Sequence, residues 1–170
     1  MIAAGGTAGH VVPALAVADE LAADGSLVVF AGGSRAEADL VPAAGYELVS
    51  FDVAGLDRRN PLRALLAALK AARATVEAWR LLGRLQPGAV MGGGGYVAGP
   101  VGLAAVLRRR PLVLTEADSH LGLTNRLLAP FARRVCLAFE IPGRGRPRYL
   151  VTGRPIPPQS GDREAARAHF

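Results

Sequence analysis

The sequence is short of several things, and each shortage excludes something. It has one cysteine, Cys136, among 170 residues. A disulfide framework is therefore impossible, and nothing implies an oxidising compartment. The thiol lies in the apolar run Val135-Cys136-Leu137-Ala138-Phe139 and is expected in the core. Aromatic residues make up 5% of the chain and no nucleic-acid-binding motif is present, so no nucleic acid partner is expected. No signal peptide is visible. The uncharged stretch 88–107 is interrupted by a glycine run and by Pro100, which argues against a membrane-spanning helix. Lysine is nearly missing: Lys70 is the only one, so arginine carries almost all of the net charge of +6. A basic domain suits an anionic partner such as a membrane lipid or a diphosphate.

What is plentiful is apolar. Hydrophobic residues are 51% of the chain, ample for the core of one α/β domain. Short apolar runs at 1–4, 26–31, 46–53, 88–91, 111–114, 135–139 and 149–152 read as strands. Helical stretches separate them: to about residue 23, then 35–44, 61–85, up to about 108, and 122–131. Pro61 sits well as the first residue of the long helix. A polar loop with Asp57, Arg58 and Arg59 precedes it, and a last helix begins at 162. Strands alternating with helices predict a doubly wound, Rossmann-like α/β fold: a parallel sheet with helices on both faces. Ligands of such folds bind at the carboxyl ends of the strands.

Three loops fall at such ends. The first is Gly5-Gly6-Thr7-Ala8-Gly9-His10. Its bare backbone N–H groups and the following helix dipole would attract a phosphate. It lacks the Gly-Lys-Ser/Thr ending of a Walker loop and the glycine spacing of the dinucleotide fingerprint. No carboxylate ends the second strand either; Gly32-Gly33-Ser34-Arg35 stands there. The loop alone is equally well a glycine-rich turn with no ligand. The second loop is Gly92-Gly93-Gly94-Gly95-Tyr96-Val97-Ala98-Gly99-Pro100, and the third is Thr115-Glu116-Ala117-Asp118-Ser119-His120. Their joint placement at strand ends favours a ligand site. His10 fits a general base, a contact that orients a diphosphate, or a helix cap. Glu116 reads first as a brace for its loop and second as a substrate contact, and His120 as loop surface.

These motifs resemble the MurG glycosyltransferases. The resemblance rests on the first loop with its helix through Ala18, on Glu37-Ala38-Asp39-Leu40-Val41-Pro42 followed by Gly45, on residues 91–100, and on Gly122-Leu123-Thr124-Asn125. It implies the amino-terminal half of a GT-B enzyme. Such an enzyme moves N-acetylglucosamine from UDP-N-acetylglucosamine to lipid I, giving lipid II for peptidoglycan, with neither a cofactor nor a metal. It implies a peripheral location on the cytoplasmic face of the cell membrane. Residues 1–153 would form the acceptor-binding domain. Residues 154–170 would be the linker and first helix of a donor-binding domain, supplied in cis or in trans. By the same resemblance Thr7, Ala8, Gly9 and Asp118 would lie near the donor. Gly6, Gly93, Gly94, Gly95 and Tyr96 would hold the acceptor diphosphate, a role that suits backbone donors in a glycine nest.

Two departures stand out. Thr115-Glu116-Ala117-Asp118 replaces the family's His-Glu-Gln-Asn, so an amide donor gives way to an acceptor-only carboxylate at Asp118. Gly153-Arg154-Pro155-Ile156-Pro157 replaces Gly-Asn-Pro-Val-Arg, so the expected arginine is missing at Pro157 while Arg154 stands nearby. On the long helix Leu62, Leu65, Leu66 and Leu69, with Arg63, Lys70 and Arg73, suit docking on an anionic membrane, or else packing on the sheet with a solvated basic side. Two other functions compete: a non-catalytic membrane-recruiting subunit of a split glycosyltransferase, and a glycosyltransferase with another lipid or natural-product acceptor.

Overall fold

A computed structural model describes residues 1–53, 55 and 60–157. The loop residues Asp57, Arg58 and Arg59, the helix expected from residue 162, and His169 lie outside the described residues. The elements follow in the order β1 (Ile2–Ala3), α1 (Ala8–Ala23), β2 (Val29–Gly32), α2 (Ala36–Ala43), β3 (Glu47–Ser50), α3 (Pro61–Leu85) and β4 (Val90–Gly92). Then come α4 (Ala98–Leu107), β5 (Leu112–Glu116), α5 (Leu123–Leu128), β6 (Arg134–Leu137) and β7 (Tyr149–Val151). All strand pairs are parallel, in the order β3-β2-β1-β4-β5-β6-β7.

That order carries the functional consequence. The chain moves outward from β1 to β3, crosses back through α3, and lays β4 on the other side of β1. Ile2 is in register with both Phe30 and Met91. The direction of winding therefore reverses between β1 and β4, and loops leaving adjacent strands part there to open a crevice. The first glycine loop leaves β1 and the second leaves β4, so both border this crevice.

Each face of the sheet has its own core. Ile2, Val11, Ala14, Ala18, Phe30 and Val41 pack where α1 and α2 cover it. Ala74, Ala78, Leu82, Val101, Ala105, Leu112 and Leu114 pack where α3 and α4 cover the other. The long helix starts as its sequence suggests. Asn60 Oδ1 accepts hydrogen bonds from the Leu62 and Arg63 amides, both at 3.1 Å, and Pro61 follows the cap. Its buried side is mostly alanine, which allows close approach to α4.

Several boundaries differ from the sequence reading. The helix expected over 122–131 is a six-residue α5 followed by a 3-10 turn at Ala129–Phe131, because Pro130 cannot extend the α-helical ladder. The strand expected over 46–53 is confined to Glu47–Ser50, at the sheet edge. Cys136 is half-buried rather than enclosed, and burial still pushes its thiol pKa up. Among the described residues no helix is long and apolar enough to cross a membrane.

Candidate functional site

The crevice widens into a groove of about 870 Å³ between α3, α4 and α5. Its polar end is formed by His10, Gly93, Gly94, Gly95, Tyr96 and Asp118. These six come from three separate loops, and the sequence singled out all of them. Its other end is apolar. Ala67, Ala68, Ala71 and Ala72 of α3 make one wall. Leu103, Leu127 and Phe131 make an exposed lip on the opposite side, with Phe131 65% exposed. Sequence reasoning missed that lip, since each residue belongs to a different local element and only the packing of α4 on α5 gathers them.

Close approach explains the glycines of the second loop. Gly94 and Gly95 have φ of +97° and +78°, a region that favours glycine. A Cβ on Gly95 would overlap the Gly5 carbonyl, and one on Gly94 would overlap the His10 ring. The two loops are thus in contact, with His10 held against the bare backbone of Gly94. His10 Nδ1 lies 3.1 Å from Thr7 Oγ1. When Nδ1 carries the proton and donates to Thr7, Nε2 is left as a lone-pair acceptor, the state a general base requires.

The first loop holds a feature the sequence did not announce. Glu37, in the first turn of α2, is fully buried. Its Oε2 accepts the Gly6 amide at 2.8 Å and its Oε1 accepts the Gly33 amide at 2.7 Å. A Cβ on Gly5 would come within 2.6 Å of Oε1, and one on Gly32 within 2.7 Å of Glu37 Cγ. The pairs Gly5-Gly6 and Gly32-Gly33 are therefore shaped around this one carboxylate. Burial raises its pKa, but backbone N–H groups of Glu37 itself, Gly6, Gly33 and Arg35 outweigh that and hold it below the usual range. The Gly6 amide, expected to face a diphosphate, is already occupied. Tyr96 closes over the same place: a Cβ on Gly6 would be 3.0 Å from its ring. Burial, and then the Glu37 charge, push its hydroxyl pKa up.

Glu116 does for the third loop what Glu37 does for the first. Oε1 accepts the Asp118 amide at 3.2 Å, and Oε2 accepts the Gly122 amide at 2.8 Å and Asn125 Nδ2 at 2.9 Å. Its expected role as a brace holds. Asn125 Nδ2 also donates to the Thr115 carbonyl at 2.9 Å, which fixes the orientation of the amide. Asp118 itself is exposed at the groove's rim, as is His120 on the loop surface.

Thr7, Ala8 and Gly9 do not line the groove; they sit beside it at the start of α1. Here a proline has a long-range effect. Pro13, inside α1, has no N–H to give to the carbonyl four residues earlier, at Gly9. Arg154 Nη2 takes that place, donating to the Gly9 carbonyl at 3.0 Å. The segment leaving β7 is thereby tied to the first loop.

The membrane-surface candidates lie on the outer side of α3. Leu62, Leu65, Leu66 and Leu69 are all exposed, Leu65 by 58% and Leu69 by 59%, so they are not core residues. Lys70 pairs with Asp52 at 2.8 Å and Arg73 with Glu77 at 2.9 Å. Such exposed pairs add little stability. Arg63, whose amide joins the cap, lies on the same helix.

A family model described as the glycosyltransferase family 28 N-terminal domain matches residues 1–137. One relative is the UDP-N-acetylglucosamine–N-acetylmuramyl-(pentapeptide) pyrophosphoryl-undecaprenol N-acetylglucosamine transferase of Moorella thermoacetica. It is 44% identical over 178 residues, covering 100% of this chain and 48% of the relative. The protein of the same name from Acidithiobacillus ferrooxidans is 49% identical over 157 residues, covering 92% and 43%. Among solved structures, Acinetobacter baumannii MurG superposes with a TM-score of 0.79 at 37% identity, covering 93% of this chain and 46% of that one. The UDP-GlcNAc 2-epimerase of Neisseria meningitidis, bound to UDP-GlcNAc, gives 0.67 at 16% identity over 90% of this chain and 45% of that one, a likeness of fold alone. The chain spans about half the length of the curated relatives it matches.

Proposed function

The chain belongs to glycosyltransferase family 28 by its N-terminal domain, and on that premise we propose that it is the acceptor-binding half of an enzyme that transfers N-acetylglucosamine from UDP-N-acetylglucosamine to lipid I. The observation that carries the reading is the groove's polarity. One end offers a glycine nest and a histidine, and the other an alanine wall with a leucine and phenylalanine lip. An acceptor with a diphosphate joined to a long hydrocarbon has the same two ends. The name of the relatives, with its pyrophosphoryl-undecaprenol, fits this arrangement. In this reading Gly93, Gly94 and Gly95 present backbone donors to the diphosphate. His10 Nε2 takes the proton from the acceptor hydroxyl. Thr7, Ala8, Gly9 and Asp118 face the donor, which a carboxy-terminal domain holds. Leu62, Leu65, Leu66 and Leu69 dip into the cytoplasmic face of the membrane beside the groove's apolar lip.

The test is lipid I binding, followed by transfer when the donor-binding domain is supplied. Gly94→Val isolates the nest. Its side chain would enter the space of the His10 ring at a positive φ. Acceptor affinity should fall by about tenfold or more, the loss of one charge-assisted contact, while circular dichroism shows an intact domain. Lipid I binding equal to wild type would remove this loop from the site.

A second variant isolates the membrane face. Leu65→Glu with Leu69→Glu changes two side chains that the fold leaves exposed, so the melting temperature should hold. Flotation with anionic vesicles should weaken by about tenfold or more, since each leucine withdrawn from an apolar phase costs about 1.5–3 kcal/mol. Unchanged flotation would detach α3 from the membrane.

A further inference from the structure

Far from the groove, at the other end of α3, lies a second cavity of about 620 Å³ lined by Glu77, Arg80, Gly83, Arg84 and Arg108. Three guanidinium groups face one small space. Glu77, the only carboxylate there, is already paired with Arg73. Arg80 and Arg84 form no ion pair among the described residues. Arg108 is fixed in place. Its Nε donates to the Trp79 carbonyl at 2.9 Å, and its Cζ lies 3.5 Å from the Trp79 ring centroid. Gly83 leaves the room: a Cβ there would meet the Arg108 guanidinium within 2.9 Å on three atoms. A pre-positioned arginine beside two mobile ones is chemistry for an oxyanion with several acceptors, such as a phosphate.

Helix geometry says which phosphate. Arg80 follows Leu62, and Arg84 follows Leu66, by eighteen residues, which is five turns of an α-helix. The cavity and the exposed leucines therefore face the same direction, separated by about 27 Å along the axis. A flat surface touching one touches the other. Between them the outer line of the helix carries Val76 and Trp79, both exposed, and Leu107 next to Arg108 is exposed too. Tryptophan beside arginine is the pairing found at headgroup depth in membranes.

We propose that the Arg80, Arg84 and Arg108 cavity binds the headgroup phosphate of an anionic membrane lipid and sets α3 parallel to the membrane plane. This rests on the membrane reading above, so its test has one readout that needs no membrane. Trp79 is the only tryptophan in the chain, and its fluorescence reports on the guanidinium stacked over it. The 170-residue chain is titrated with short-chain phosphatidylglycerol kept monomeric, with the matching phosphatidylcholine, with inorganic phosphate and with polyglutamate. The expected result is a saturable Trp79 change with phosphatidylglycerol that weakens about tenfold in Arg80→Ser with Arg84→Ser, one tenfold step being the loss of a charge-assisted contact. Equal affinity for inorganic phosphate would mean a free anion, equal affinity for phosphatidylcholine an apolar adhesion, and tighter binding of polyglutamate an acidic protein partner; each overturns the proposal, as does no response. Vesicle flotation separates this from the parent reading. Flotation without a Trp79 response sinks the cavity alone, and a Trp79 response without flotation sinks the membrane reading alone.

Discussion

Glu37→Gln is expected to lower the melting temperature by about 6–12 °C at neutral pH. The wild-type carboxylate accepts two amides from two different loops, at 2.8 and 2.7 Å, in a site closed to solvent. An amide has one acceptor oxygen, so its NH₂ must face either the Gly6 or the Gly33 N–H. One backbone donor is then stranded and two donors oppose each other. A buried unsatisfied group costs about 1–3 kcal/mol, and hydrogen bonds to a charged group are worth about 1.5–3 kcal/mol each. A net loss near 3 kcal/mol corresponds to that shift for a domain of this size. The sign with pH follows from the lowered pKa of Glu37. A carboxyl that is more acidic in the folded state stabilises the fold above its unfolded pKa, and that contribution disappears as pH falls through the folded value. The gap between wild type and variant should therefore be full near neutrality and shrink in acid below the ordinary carboxylate range. Melting curves across that range that differ by less than a degree would show that Glu37 braces nothing.

This carboxylate also marks the limit of what could be read without coordinates. Strand and helix order was legible because apolar runs and glycine or proline breaks punctuate the chain, and each of the seven expected strands is present. Glu116 was legible as a brace because its partners lie within nine residues of it. Glu37 was not. Its partners include Gly6, thirty-one residues away, and the meeting depends on β2 pairing with β1. The glycine pairs it occupies look, in sequence, like cradles for a ligand, and half of that signal belongs to an internal carboxylate instead. The Arg154 contact was hidden for a similar reason, since it answers a missing N–H at Pro13 on the far side of the chain. Candidate site residues from the loops after β4 and β5 fared better: these loops open on the switch between β1 and β4, where topology alone places the crevice.

A polypeptide of these 170 residues is expected to bind lipid I and to give no measurable steady turnover with UDP-N-acetylglucosamine. The groove that suits the acceptor is built wholly from described residues, so binding needs no other domain. Transfer needs the donor's anomeric carbon held in line with the acceptor hydroxyl. Positioning of that kind is worth about 7–11 kcal/mol, or about five to eight orders of magnitude in rate. On the donor side the chain offers the Thr7 to Gly9 loop and an exposed Asp118. Residue 157, where the resemblance implies an arginine, is proline. Arg154, which could have replaced that cation, is held on the Gly9 carbonyl. Adding the donor-binding domain should restore turnover without changing lipid I affinity by more than about tenfold, a coupling near 1.4 kcal/mol. Multiple turnovers by the 170-residue monomer alone would place a complete donor site inside this domain and overturn the acceptor-half reading.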